Sequence, residues 1–198
     1  MTDTSTAYHE ASHAVAAYYF GLPVTYLSVR PAEGEAGRTR FDTTSEGFAK
    51  LDDFSCAIIK VAGEIGERMA TGDTSRKFNW FSEDQDAEDA RNFIARAGDD
   101  ELGNRQLAVL RAYALLRARW EAVEEIAGLF ERNTVVLGEE VARICLAAAA
   151  RRDARTRAAE PPKPPRPDRV PKRPRGAPQP GTKEVRPFTI KVQKGANS

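Results

Sequence analysis

Hydrophobic and polar positions repeat along the chain in patterns that predict a mainly helical domain. Two stretches, residues 23–31 and 36–43, alternate apolar and polar positions as strands do. Elsewhere apolar residues recur at helical spacing, and a capping box of Ser82 and Gln85 indicates one helix start. The predicted helices cover residues 4–20, 50–71, 82–97, 104–132 and 137–150. We therefore expect an α+β fold that is mostly helix, with a small sheet of two or three strands.

The composition changes sharply near residue 150. Residues 151–198 contain 14 Lys and Arg against 4 Asp and Glu, together with 10 of the 12 prolines. Residues 1–150 contain 16 Lys and Arg against 25 Asp and Glu. A basic, proline-rich stretch with few apolar residues cannot bury enough surface to offset its ordering entropy. We predict a folded domain over residues 1–150 and a disordered tail over residues 151–198. The tail could bind a partner protein or a nucleic acid, although a solvated linker is the simpler interpretation.

Targeting and cysteine patterns indicate a cytoplasmic protein. The sequence shows no signal-peptide pattern and no apolar run near the roughly 20 residues that a membrane helix needs. Its two cysteines, Cys56 and Cys145, lie singly in apolar helical stretches without a CxxC motif. We therefore expect reduced thiols and no membrane association. The oligomeric state is left open by the sequence.

The chain has only two histidines, His9 and His13, and both lie in the segment AYHEASHAVAAYYFG at residues 7–21. Residues four apart share one face of a helix, so both imidazoles can bind one metal ion. Glu10 follows the first histidine, as in the HExxH motif of zinc peptidases, where this residue is the general base. Two ordinary surface histidines are the alternative, but the flanking alanines and valine turn this face inward. The segment predicts a Zn²⁺ site.

A catalytic zinc site usually has three protein ligands, and without a further histidine the third ligand should be Asp or Glu, with Cys as a less favoured alternative. Asp86 is the first candidate, because it begins a helix on its apolar face, where a charge needs a cation or several donors. Asp84 points along a polar face, and Glu64 or Glu67 is the main rival on the preceding helix. Asp86 could also be an ordinary N-terminal acid favoured by the helix dipole. The apolar positions that follow Asp86 on its face are Ala90, Phe93, Ile94 and Ala97.

These motifs resemble the FtsH-type zinc peptidases, peptidase family M41, over about residues 6–146. The segment AYHEASHAV is similar to the family's A-x-H-E-A-G-H-A-V helix, and VAGEIGERMATG to its A-G-x-x-x-E helix. The segment SEDQDAEDARNFI resembles the family's S-x-D-[LI]-x-x-A stretch, whose Asp is the third ligand. The Asp-x-x-x-Ala spacing selects Asp86, whereas counting from the serine selects Asp84.

The resemblance implies a zincin-like helical peptidase domain. In it His9, His13 and Asp86 would bind zinc, and Glu10 would be the general base and acid that hydrolyses a polypeptide substrate. The GRTRF strand would hold an extended substrate at the sheet edge, near Arg38–Phe41.

Two features depart from the family. Ser12 stands where the family has Gly, and no G-x-x-x-x-G-K-[ST] motif occurs, so we expect no ATP binding by this chain. A stand-alone metalloendopeptidase for unfolded or partner-delivered chains is therefore expected. The alternatives are a catalytically idle zinc-fold adaptor that acts through its basic tail, and a regulatory protease with a single target.

Overall fold

The computed structural model describes residues 4–30, 37–73 and 75–159. It confirms the predicted fold class, a mainly helical domain with a small antiparallel sheet, here of three strands. In chain order the elements are α1 (Thr4–Tyr19), β1 (Val24–Ser28), β2 (Arg38–Phe41), α2 (Glu46–Ala49), α3 (Asp53–Ala70), α4 (Gln85–Arg96), α5 (Glu101–Leu129), β3 (Val135–Leu137) and α6 (Gly138–Ala159).

The helix α1 lies in the centre of the domain, in contact with α3, α5, α6 and the sheet. Its inward positions are mostly alanine, and these small side chains allow the neighbouring helices to approach closely. Gly21, with φ of 77°, ends the helix in the left-handed conformation that glycine adopts without steric cost. The two histidines of α1 are therefore carried on a helix that is packed against several other elements.

The sheet has the order β2-β1-β3, with both pairs antiparallel. Leu27 of β1 pairs with Thr39 of β2 on one side and with Val136 of β3 on the other. The strand β3 is only three residues long, too short for the alternating pattern that predicted the first two strands. Because β1 is central, β2 forms an outer edge of the sheet.

Several helices differ from the prediction, among them α2, which was not predicted, and α5, which was predicted over residues 104–132. The helix α4 begins at Gln85 with Asp84 as its N-cap, rather than at a capping box opened by Ser82. The helix α5 contains one residue, Arg119, with non-helical backbone angles (φ −124°, ψ 16°). The helix α6 extends to Ala159, so residues 151–159 of the predicted tail are helical; the rest of that tail lies outside the described residues.

Two further observations concern membrane-spanning helices and the cysteines. Within the described ranges, no helix combines the length and the apolar character needed to cross a membrane. Cys56 and Cys145 are both free and buried, as their apolar surroundings in the sequence predicted.

Candidate metal centre

Three potential metal ligands meet between α1 and α4. His9 and His13 project from adjacent turns of α1, and Asp86 lies in the first turn of α4. Oδ2 of Asp86 is 3.2 Å from Nε2 of His9 and 2.9 Å from Nε2 of His13, and the two Nε2 atoms are 3.1 Å apart. Ligands of a tetrahedral zinc ion at roughly 2.0–2.1 Å are about 3.3 Å from one another. The three atoms thus have close to the spacing that zinc requires.

The outer nitrogens of both imidazoles face hydrogen-bond acceptors. Nδ1 of His13 lies 2.8 Å from the carbonyl oxygen of Ile59, and Nδ1 of His9 lies 3.3 Å from Oε2 of Glu67. These oxygens only accept, so each Nδ1 carries a proton, and each ring presents its Nε2 toward Asp86, where a lone pair is available once that nitrogen is deprotonated. Three acceptor atoms then converge, and only a cation or additional protons between them can stabilise this arrangement.

Gly63 of α3 leaves open the space that an ion would need. A Cβ atom at this position would lie 2.3 Å from Nε2 of His13 and 2.5 Å from Nε2 of His9. Any larger residue would therefore place a methyl group among the ligand atoms. Both the donor set and the space beside it fit zinc.

The structure separates Asp86 from the rival carboxylates. Asp84 caps α4 by accepting a hydrogen bond from the backbone N–H of Ala87. Glu64 accepts hydrogen bonds from Arg68 on its own helix. Glu67 contacts His9 on the outer nitrogen, on the opposite side of the ring from Asp86. Asp86 is thus the carboxylate that the fold brings to both Nε2 atoms.

Lys60 of α3 holds the second oxygen of Asp86. Its Nζ lies 3.0 Å from Oδ1 of Asp86 and 2.8 Å from Oδ2 of Asp89. Oδ1 is thereby occupied, and Oδ2 is left to face the histidines. The sequence analysis did not identify Lys60, although a single lysine inside the apolar run AIIKVAG is a signal for a partly buried acid nearby.

The pKa shifts of the cluster favour positive charge beside the carboxylate of Asp86. Burial disfavours the charged imidazole of His9, but hydrogen bonds with Asp86 and Glu67 outweigh burial and raise its pKa to about 10. Burial also disfavours the charged carboxylate of Asp86, but His13, His9 and Lys60 hold its pKa well below the ordinary value. The hydrogen bond from His9 lowers the pKa of Glu67 to about 2. A cation held by the two histidines would therefore face the ionised carboxylate of Asp86.

Glu10 is buried next to the ligand cluster, with 5% of its surface exposed. The hydroxyl of Thr39 on β2 lies 2.6 Å from Oε2 of Glu10 and donates to it. A Cβ atom at Gly37 would be 2.6 Å from Oε1, so this glycine leaves room for the carboxylate. The sequence analysis did not identify Thr39 or Gly37, because their contacts with α1 depend on how the sheet packs against it.

Comparison with known proteins assigns no family to the chain. Its sequence matches no protein-family model and no curated protein. The resemblance to the FtsH-type peptidases therefore stays a prediction, and the function has to be inferred from the geometry of the site.

Proposed function

We propose that the protein is a zinc-dependent metalloendopeptidase of the FtsH type, acting in the cytoplasm. The observation that carries the proposal is the convergence of His9, His13 and Asp86 beside the buried Glu10 of the same HExxH helix. The first three residues would hold the ion. When bound, zinc supplies a Lewis acid that polarises a peptide carbonyl and makes water more acidic.

Glu10 is the proposed general base and acid. Its carboxylate accepts a proton from the attacking water and returns it to the amine that leaves. Thr39 donates to Oε2 and so fixes the orientation of the carboxylate, while Oε1 faces the space left by Gly37. A base whose rotamer is held in this way loses little entropy when the reaction begins.

The strand β2 supports an extended polypeptide as the substrate. It lies at an edge of the sheet, and its Thr39 contacts Glu10 directly. A substrate segment that adds to this edge through backbone hydrogen bonds would pass close to the proposed base, whatever its side chains. Only a chain that is unfolded, or delivered in an extended form by a partner, can pair in this way.

Cleavage of an unstructured protein such as casein tests the proposal. Zinc-loaded wild-type protein should cleave it, and Glu10→Gln should lower the rate at least about a hundredfold while retaining one zinc ion per chain. Glu64→Gln, which removes a carboxylate outside the ligand cluster, is the matched control and should keep its activity. Equal rates for Glu10→Gln and wild type would refute the mechanism. A zinc-loaded wild type that does not cleave casein would favour the adaptor or the single-target protease.

Metal analysis of three variants tests the third ligand separately. Asp86→Ala should lose zinc, because it removes one of the three converging atoms. Glu67→Ala should retain zinc with roughly tenfold weaker affinity, since it only orients His9. Asp84→Ala should retain the affinity and lose about 1 kcal/mol of stability, since it removes a helix cap. Full zinc retention by Asp86→Ala would contradict the assignment.

A further inference from the structure

A cavity of about 170 Å³ lies between the end of α1, the middle of α5 and α6. None of its lining residues is a proposed zinc ligand or the proposed base. Two aromatic residues and four arginines form most of its wall. They are Tyr19, Trp120, Arg117, Arg119, Arg152 and Arg155.

Arg119 is fixed in the wall of this cavity with an unused hydrogen-bond donor. Its guanidinium group stacks over the ring of Tyr19, 4.2 Å from the ring centroid. Its Nε atom is buried and has no hydrogen-bond partner in the described part of the chain. A buried donor without an acceptor leaves the guanidinium group incompletely satisfied, and an anion in the cavity would compensate its charge.

The cavity also has an excess of positive charge. Glu121 is the one acid among the described residues that line it, and both of its oxygens are paired, with Arg151 and Arg155. The other lining arginines, Arg117, Arg119 and Arg152, have no carboxylate partner within residues 4–30, 37–73 and 75–159. Their uncompensated charge should attract an anion into the cavity.

We propose that this cavity binds a phosphate group. Arginine presents planar, paired N–H donors that match phosphate oxygens, and stacking on Tyr19 leaves the edge of the Arg119 guanidinium for that contact. The volume corresponds to about five or six water molecules. It is smaller than the roughly 300 Å³ at which pockets begin to hold whole ligands. The ligand is therefore inorganic phosphate, or the terminal phosphate of a larger molecule that stays outside.

Titration calorimetry of the full, zinc-loaded chain with inorganic phosphate at constant ionic strength tests the site. Wild type should bind with saturation, and phosphate should raise its melting temperature above that in acetate. Arg119→Gln should weaken binding about tenfold or more, through loss of a charge-assisted hydrogen bond. Arg152→Gln, at an exposed position that cannot affect folding strongly, should also weaken binding. Arg143→Gln is the control on the same helix, because Arg143 pairs with Glu140 outside the cavity.

A second titration with tripolyphosphate identifies the source of the phosphate. Tighter binding than that of inorganic phosphate assigns the site to the end of a larger molecule, and equal binding assigns it to free phosphate. The proposal is overturned if wild type shows no saturable binding or if acetate stabilises as much as phosphate. Unchanged affinity in both Arg119→Gln and Arg152→Gln would overturn it as well.

Discussion

Ser12 of α1 packs directly against Gly66 of α3, and their combined substitution tests that packing. Ser12 is fully buried, and its hydroxyl has no hydrogen-bond partner among the described residues. A Cβ atom at Gly66 would lie 1.8 Å from Oγ and 2.5 Å from Cβ of Ser12. Both distances are far below van der Waals contact, so Gly66→Ala must push the two helices apart or distort them.

The magnitude follows from opposing effects at the two positions. Overpacking a well-packed core costs about 1–3 kcal/mol, and these overlaps belong at the upper end. Alanine gains about 1 kcal/mol over glycine in a helix, which leaves Gly66→Ala about 2 kcal/mol less stable. Ser12→Gly in the same chain removes both clashing atoms, and the remaining neighbour, the carbonyl oxygen of Tyr8 at 3.4 Å, is an ordinary contact. The double variant should therefore lie within about 1 kcal/mol of wild type.

Urea unfolding of the four proteins of this cycle, followed by tryptophan fluorescence and circular dichroism, measures the coupling. We expect a coupling free energy of about 2 kcal/mol, with the second substitution rescuing the first. Ser12→Ala alone should be neutral or up to about 1 kcal/mol stabilising, because it removes a buried hydroxyl without a partner. Additive effects, with a coupling below about 0.5 kcal/mol, would refute the contact.

Three further predictions concern the metal and the thiols. Gly63→Ala should reduce bound zinc to a small fraction while the helical circular dichroism signal is retained. A full zinc ion per chain in that variant would contradict the role of Gly63 in leaving space for the ion. Lys60→Met should weaken zinc affinity about tenfold to a hundredfold in a chelator competition, whereas the exposed Lys50→Met should not. Burial raises the pKa of Cys145 to about 12, so a thiol reagent at pH 8 should modify it only after unfolding; rapid modification of the native protein would refute this.

Local patterns in the sequence were sufficient to locate most of the candidate site. The four-residue spacing of His9 and His13 fixes them on one helix face before any tertiary structure is known. Asp86 could be selected because it shares a face with Ala90 and Ile94, which are both fully buried in the structure. Zinc binding by these residues stays a prediction, and helical periodicity alone left Asp84 and Glu67 as rivals that only the tertiary contacts of the structure separate from Asp86.

The remaining features depend on contacts between distant segments, or on a choice between equivalent local signals. Thr39 reaches Glu10 only because β2 packs against α1, and no periodicity within either segment specifies that contact. Ser82 and Asp84 are both good N-caps, and local sequence does not decide between them. The structure uses Asp84, which turns Ala87 toward the core.

One face of α3 supports the three proposed metal ligands. Ile59, Lys60, Gly63, Gly66 and Glu67 lie on one side of the helix, because a helix repeats every 3.6 residues. The carbonyl of Ile59 and the carboxylate of Glu67 face the two imidazoles, and Lys60 holds the carboxylate of Asp86. Gly63 leaves space for the ion, and Gly66 leaves space for Ser12 of α1. The apolar positions that predicted α3 lie on the other side of the helix and carry none of these roles. A shift of α3 by one residue would displace all five contacts together, so metal binding and the packing of α1 on α3 should be lost together.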